Sequence, residues 1–128
     1  MTKAPTLILI VEDEDRIRRN LRVFLEDDGF SVVTAASAEE GLLFLDQCTP
    51  RVAIVDIRLP GMDGVAFIEK ARGLCSEMRF IVYTGSVSFK PSSRLRAVGI
   101  QAEQLFRKPL MDLAVLVDAV KTQLATRG

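Results

Sequence analysis

The sequence contains no histidine and no tryptophan, and only one tyrosine and two cysteines occur among its 128 residues. The cysteines, Cys48 and Cys75, have neither the spacing of metal ligands nor the number that a disulfide framework needs. The lack of histidine removes the usual partner for completing a zinc site from two cysteines. We therefore expect both cysteines to be reduced thiols that serve packing.

An excess of charge of either sign is also absent, because 17 lysine and arginine residues are matched by 17 aspartate and glutamate residues. A domain without a basic excess has little to hold the phosphates of nucleic acid, so we expect no direct nucleic-acid binding by this domain. The chain also lacks an apolar signal segment at its start and any apolar run approaching the roughly 18 residues that cross a membrane. These absences predict a cytoplasmic protein with no membrane partner.

The length and the 48% of hydrophobic residues fit one domain with a packed core, spanning residues 1–128. Short apolar runs alternate with longer amphipathic stretches, which indicates five strand–helix units. Several runs are apolar throughout, as in parallel strands that helices cover on both faces. The predicted strands are Leu7–Val11, Ser31–Ala35, residues 52–56, residues 80–84 and Leu105–Arg107.

Local signals mark the helix ends between these strands. Gly29 is suited to end the first helix, and Ser37 with Glu40 forms a capping-box pattern at the start of the second. Asp63 can cap a third helix, and a last helix is predicted to begin near Leu110. The apolar residues expected to face the core from the first, second and last helices are Ile17, Leu21, Phe24, Leu25, Leu42, Leu43, Leu45, Leu113, Leu116, Val117, Val120 and Leu124. Residues 87–97 show no readable pattern, because Pro91-Ser92-Ser93 interrupts any helix.

Polar residues stand at the carboxyl ends of the predicted strands, where open α/β sheets carry their functional crevice. Glu12 and Asp13 follow the first strand, Asp56 ends the third, Thr84 ends the fourth and Lys108 follows the fifth. Each acid alone has an ordinary alternative role, at a helix N-terminus or in a turn. Together they predict a pocket of repelling carboxylates that a cation must stabilise, and oxygen ligands of this kind suit Mg²⁺ and phosphoryl chemistry.

Four segments resemble those of bacterial response-regulator receiver domains: Leu9 to Glu14, Val55 to Gly64, Thr84-Gly85 and Lys108-Pro109. They occur in the family's order and cover nearly the whole chain. The resemblance implies a flavodoxin-like, doubly wound (βα)5 fold with a parallel five-stranded sheet in the order 2-1-3-4-5. It also implies a single receiver domain, with the question of a longer parent regulator left open.

The resemblance assigns a role to each acidic residue. Asp56 would be the phosphoacceptor, taking a phosphoryl group from a phosphohistidine or a small phosphodonor. Asp13, Asp56 and the backbone carbonyl of Arg58 would hold Mg²⁺ directly, with Glu12 acting mainly through a bound water. The cofactor is therefore expected to be Mg²⁺.

The remaining family positions are Thr84 and Lys108, which would contact the phosphoryl oxygens and complete the catalytic set with Asp56. Thr84 and residue 105 would form the switch. Many members carry a tyrosine or phenylalanine three residues before the lysine, whereas this chain has Leu105 there. The neighbouring Phe106 should point to the opposite face of the sheet, because strand side chains alternate.

The implied function is a signalling switch rather than an enzyme. Its implied partner is a sensor histidine kinase or a phosphotransfer protein. A homodimer through the fourth and fifth helices is a further possible partner arrangement. Two alternatives stay open. One is a degenerate receiver that binds partners without phosphorylation. The other is a phosphatase of the haloacid dehalogenase type, although that family needs a second aspartate where this chain has Arg58.

Overall fold

The computed structural model describes residues 5–85, 93–97 and 99–125. Within these described residues, five strands alternate with five helices, and a short 3-10 turn precedes the last strand. The elements are β1 (Leu7–Val11), α1 (Asp15–Asp27), β2 (Ser31–Ala35), α2 (Ala38–Phe44), β3 (Val52–Val55), α3 (Gly64–Leu74), β4 (Arg79–Thr84), α4 (Ser93–Ala97), the 3-10 turn (Ala102–Gln104), β5 (Leu105–Arg107) and α5 (Ala114–Ala125).

The strands form one parallel sheet in the order β2-β1-β3-β4-β5, which confirms the predicted topology. The chain runs outward from β1 to β2 and then returns to place β3 on the other side of β1. This reversal makes the carboxyl ends of β1 and β3 the point where a ligand crevice is expected. Val11 lies in register with Val55, so the residues that follow them emerge side by side.

Each face of the sheet carries its own hydrophobic cluster, because alternate strand residues point to opposite sides. The first cluster packs Leu9 and Val11 of β1 against α2, α3 and α4 through residues such as Phe67 and Leu95. The second cluster packs Ile8 and Ile10 against the apolar stripes of α1 and α5. Burial of β1 on both faces explains why its sequence is apolar without alternation.

Three predicted helix-end signals are confirmed. Gly29 has a φ of +95°, the left-handed conformation that terminates α1 after Asp28. The hydroxyl of Ser37 accepts a hydrogen bond from the backbone N–H of Glu40 at 3.1 Å. At α3, Oδ1 of Asp63 accepts from the N–H of Ala66 at 2.8 Å, so the cap that begins this helix comes from the segment directly after β3.

Four sequence predictions are wrong in detail. Leu43 is 67% exposed because α2 turns its neighbouring residues toward the core, and Phe24 is 42% exposed on α1. The last helix begins at Ala114 rather than near Leu110, since Oδ1 of Asp112 accepts from the N–H of Ala114 at 2.9 Å and supports a later start. The third strand also ends one residue early, before Asp56.

The connection between β4 and β5 is only partly described, and residues 87–92 of the unreadable stretch lie outside the described residues. After α4, Gly99 adopts a φ of +86° and the chain enters the 3-10 turn. The side chain of Gln104 accepts from the N–H of Gln101 and donates to the carbonyl of Phe80, both at 2.8 Å. These bonds hold the turn against β4.

Among residues 5–85, 93–97 and 99–125, every helix is too short or too polar to span a lipid bilayer.

Candidate functional site

Backbone hydrogen bonds extend the sheet by one residue beyond β3 and β5 and so fix the residues of the site. The N–H of Asp56 donates to the carbonyl of Val11 at 3.0 Å, directly beyond β1 and β3. At the other side, the N–H of Lys108 donates to the carbonyl of Thr84 at 2.9 Å. The site therefore stands on the rigid part of the fold rather than on free loops.

Glu12, Asp13 and Asp56 form the acidic cluster of the site, and one carboxylate oxygen from each lies within 4.8 Å of the others. Glu12 is 2% exposed and Asp56 is 5% exposed, whereas Asp13 lies at the surface. Two buried carboxylates beside a third repel each other and require a nearby positive charge. The oxygen donor set fits a hard divalent cation such as Mg²⁺, and the exposed Asp13 leaves that position open to water.

Lys108 reaches into the acidic cluster from the end of β5. Its Nζ lies 2.7 Å from Oε1 of Glu12 and 2.9 Å from Oδ2 of Asp56, and its side chain is 9% exposed. A third carboxylate, that of Glu14, lies 3.7 Å from the same nitrogen. Burial disfavours the charged ammonium, but hydrogen bonds to Glu12 and Asp56 outweigh it and raise the pKa of Lys108. The lysine is therefore a fixed positive charge that pairs with both buried acids and offsets one of their two negative charges.

Glu12 has an unusual affinity for a proton. Burial raises the pKa of its carboxyl to about 7, although the hydrogen bond from Lys108 and the one from the backbone N–H of Glu14 oppose the rise. The negative charge of Asp56 adds to the increase. A cation that binds at the acidic cluster near neutral pH must therefore compete with both a proton on Glu12 and the ammonium of Lys108.

Comparisons with known proteins identify this arrangement. A sequence model of the response regulator receiver domain matches residues 8–121. The chain belongs to this family. The regulator KdpE of Escherichia coli is 38% identical over 104 residues, which are 81% of this chain and 45% of KdpE. The regulator DctD of Rhizobium meliloti is 40% identical over 85 residues, 66% of this chain and 18% of DctD. The chain therefore spans less than half the length of these curated relatives.

Solved structures show the same fold. A CheY-like receiver from Methanospirillum hungatei superposes with a TM-score of 0.86 at 33% identity and covers 94% of each chain. The response regulator TrrA from Thermotoga maritima, solved in complex with Mg²⁺-BeF, superposes with a TM-score of 0.80 at 24% identity and covers 92% of this chain and 98% of its own. The second likeness concerns the fold alone. The family model and the likeness to KdpE place this chain among receiver domains of two-component response regulators, which are typically signalling switches.

The turn between β3 and α3 shapes the position of Asp56 in this receiver. The N–H of Arg58 donates to Oδ1 of Asp56 at 3.2 Å, and the N–H of Gly64 donates to the carbonyl of Ile57 at 2.9 Å. Gly64 packs so closely that an added Cβ would lie 2.2 Å from the backbone oxygen of Asp56. Only glycine allows α3 to begin this close to the site.

Several contacts of the receiver site were not foreseen from the sequence. Nη1 of Arg18 donates to the carbonyl of Glu12 at 2.8 Å, while its Nη2 pairs with Asp15. Oε2 of Glu39 accepts from the N–H of Met62 at 3.2 Å and ties α2 to the turn after β3. The contact of Arg18 could have been predicted from the sequence, because Arg18 lies in the first turns of α1, only six residues after Glu12. Glu39 and Met62 are brought together only by tertiary packing.

The side chains at the end of β5 alternate as predicted. Leu105 packs against the first hydrophobic cluster and Phe106 against the second, so Phe106 does not take the place of the missing aromatic. Thr84 ends β4 with 0% exposure, and β4 pairs with β5 in a register that places Val82 opposite Leu105. The structure thus brings Glu12, Asp13, Asp56, Thr84 and Lys108 to one edge of the sheet, with Arg58 in the adjoining turn.

Proposed function

We propose that this receiver domain is a phosphorylation switch in which Asp56 accepts a phosphoryl group from the phosphohistidine of a sensor histidine kinase or phosphotransfer protein, or from a small phosphodonor. The observation that carries the proposal is the setting of Asp56. Its carboxylate is 5% exposed, accepts hydrogen bonds from Lys108 and the N–H of Arg58, and lies in the acidic cluster. A nucleophile held in this way has a fixed direction of attack.

In the reaction, a carboxylate oxygen of Asp56 forms a bond to phosphorus while the bond from phosphorus to the donor's imidazole nitrogen breaks. The electron pair of that bond stays on the imidazole nitrogen, which takes a proton from water, so that the donor leaves as neutral imidazole. Lys108 would then place its ammonium on a phosphoryl oxygen, and Thr84 would donate its hydroxyl to another. Lys108 follows β5 and contacts Asp56, and Thr84 ends β4, the strand that pairs with β3.

The metal of this proposal is Mg²⁺, with Asp13, Asp56 and the carbonyl of Arg58 as direct ligands and Glu12 acting through water. When bound, the cation would offset the negative charge on the transferring group. Support comes from the three carboxylates within 4.8 Å. The TrrA structure holds Mg²⁺-BeF in the same fold, and we take from it only that such a site is compatible with this architecture.

Phosphorylation would act outward through Thr84 and Leu105 and change the surface that partners bind. We propose that residues 1–128 form a single receiver domain that works in the cytoplasm. One way in which it signals would be to form a homodimer through α4 and α5. The domain itself would act as a switch rather than as an enzyme. Any nucleic-acid binding would belong to another domain, as expected from the balanced charge.

One observation favours the alternative of a receiver that works without phosphorylation. Lys108 contacts both Glu12 and Asp56, so the protein itself supplies a positive charge that offsets one of the two buried negative charges. Under this alternative the pair would be a structural element, and a partner would recognise the surface around it. The alternative predicts no covalent modification of Asp56 under any phosphodonor.

Intact-mass spectrometry after incubation with acetyl phosphate and Mg²⁺ decides between the two. We expect one phosphoryl group on the parent protein, none on Asp56→Asn, and parental labelling on Asp46→Asn, which removes an exposed carboxylate at the end of the α2 region. Chelation of Mg²⁺ should abolish the labelling. Equal labelling of Asp56→Asn and the parent would refute the assignment, and an unlabelled parent would favour the phosphorylation-independent receiver.

A further inference from the structure

The only tyrosine of the chain lies beside the site. Tyr83 directly precedes Thr84 on β4 and is 4% exposed. Because side chains alternate along a strand, it belongs to the second hydrophobic cluster, on the sheet face covered by α1 and α5. It lies in register with Phe106 of β5.

Tyr83 makes two contacts with the segment that carries Lys108. The Nζ of Lys108 lies 5.7 Å from the centroid of the tyrosine ring, within the range of a cation–π interaction. The phenolic oxygen accepts a hydrogen bond from the N–H of Leu110 at 3.2 Å. One side chain thus contacts both the ammonium of Lys108 and the backbone two residues further on.

A cavity of about 260 Å³ lies next to these contacts, between α1 and the turn that follows β5. Its lining includes Tyr83, Lys108, Leu110 and, from α1, Ile17. The cavity leaves space beside the lysine, so packing alone does not hold the lysine stem on that side. The contacts with the ring and with the turn therefore matter for where the ammonium rests.

We infer that Tyr83 is a positioning residue for Lys108. Its ring holds the ammonium and its hydroxyl fixes the turn that follows the lysine. The lysine thereby points at Asp56 and, after phosphorylation, at the phosphoryl group on Asp56. The inference rests on the proposed function for the role of Lys108 toward phosphate. The placement of Lys108 by Tyr83 is a separate statement that needs no phosphorylation.

The physical reason lies in what Lys108 must do. A lysine side chain has many rotamers and loses much conformational entropy when it is fixed. Two carboxylates hold the ammonium, but a cation on the acidic cluster would compete for those oxygens. The ring of Tyr83 bears no charge and is not a metal ligand, so it can keep the ammonium in place while its anionic partners change.

Two variants separate the contacts. Tyr83→Leu removes the ring and the hydroxyl, whereas Tyr83→Phe removes only the acceptor for the N–H of Leu110. The matched control is Phe106→Leu, which deletes an aromatic ring from the same hydrophobic cluster and the paired strand position. Urea unfolding of each variant establishes that it folds before its site is measured.

The first measurement is the NMR shift of the Lys108 side-chain CH₂ protons next to Nζ in the metal-free protein. A ring close to the ammonium displaces these shifts from their random-coil positions. We expect Tyr83→Leu to abolish the displacement, and Tyr83→Phe and Phe106→Leu to keep most of it. An unchanged shift in Tyr83→Leu would overturn the inference, whatever the protein does with phosphate.

The second measurement is the apparent affinity for beryllofluoride in the presence of Mg²⁺, in the parent and in a Lys108→Ala background. We expect Tyr83→Leu to weaken binding roughly 3- to 10-fold in the parent background and by less than about 2-fold when Lys108 is absent. Tyr83→Phe should lose less than Tyr83→Leu. Equal losses in both backgrounds would show a merely structural role and refute the inference.

The two proposals fail in different ways. A parent protein that binds no beryllofluoride, and takes no phosphoryl group from acetyl phosphate, would refute the proposed function. If the Lys108 shifts still depended on Tyr83 in that protein, the positioning of the lysine would stand and would serve the metal-free ion pairs alone. If neither observation held, both proposals would be wrong.

Discussion

Replacing Gly64 by alanine should disturb the site through the backbone. Gly64 begins α3, and a Cβ at this position would lie 2.2 Å from the carbonyl oxygen of Asp56 and 2.8 Å from Cα of Ile57. Ordinary van der Waals contact begins at 3.4 Å, and the obstructing atoms belong to the main chain. No change of rotamer can relieve the clash, so either α3 or the segment after β3 must move by about 1 Å.

The same helix offers a matched control, since Gly73 is exposed in the last turn of α3 and an added Cβ there meets nothing within 4 Å. Alanine in place of a helical glycine stabilises by about 0.5–1 kcal/mol when the space is free. Overpacking against a rigid neighbour costs about 1–3 kcal/mol or more. We therefore expect Gly64→Ala to lower the free energy of unfolding by about 3 kcal/mol and Gly73→Ala to raise it slightly.

Urea unfolding followed by circular dichroism gives both free energies, and acetyl phosphate labelling gives the effect on the site. A displacement of about 1 Å at Asp56 should slow labelling of Gly64→Ala by about tenfold or more, whereas Gly73→Ala should label as the parent does. The reasoning is refuted if Gly64→Ala is as stable as Gly73→Ala. Parental labelling of a destabilised Gly64→Ala would show that α3 moves and Asp56 does not.

Three further predictions concern the charges of the site. Asp13→Asn should weaken Mg²⁺ binding about tenfold by calorimetry, with Asp15→Asn as the control, and unchanged affinity would remove Asp13 from the ligand set. Lys108→Ala leaves two buried carboxylates without the ammonium, so the free energy of unfolding without Mg²⁺ should fall by about 2–4 kcal/mol. Added Mg²⁺ should restore part of this loss, and equal losses with and without the metal would contradict the prediction. Because a proton on Glu12, whose pKa is about 7, must leave before its carboxylate can face the cation, Mg²⁺ affinity should rise as the pH increases through 7 and level off above it. Affinity that is flat between pH 6 and pH 8 would contradict the competition between proton and metal.

The sheet and the strand-end residues were predictable because both follow from local patterns. Apolar runs mark strands that are buried on two faces, and parallel strands bring their carboxyl ends to one edge. The caps at Ser37 and Asp63 were predictable for the same reason, since each is a bond between residues three apart. The strand order followed only from the resemblance to receiver domains, because short apolar runs do not state which strand lies next to which.

The features that were missed depend on contacts between distant parts of the chain. The hydrogen bond from Met62 to Glu39 joins residues 23 apart, and that from Leu110 to Tyr83 joins residues 27 apart. The late start of α5 depends on how the turn after Lys108 packs, and the spacing of apolar residues along the sequence does not predict that packing. The exposure of Leu43 depends on the direction in which a seven-residue helix lies on the sheet.

The position of Tyr83 gives this protein a built-in optical reporter. The chain has no tryptophan and a single tyrosine, so fluorescence at wavelengths longer than those of phenylalanine comes from the ring of Tyr83 alone. That ring lies 5.7 Å from the ammonium of Lys108, so its surroundings change whenever the lysine exchanges one partner for another. Binding of a cation or an anion at the site can therefore be followed in the unlabelled, unmodified chain, in real time and at micromolar concentration.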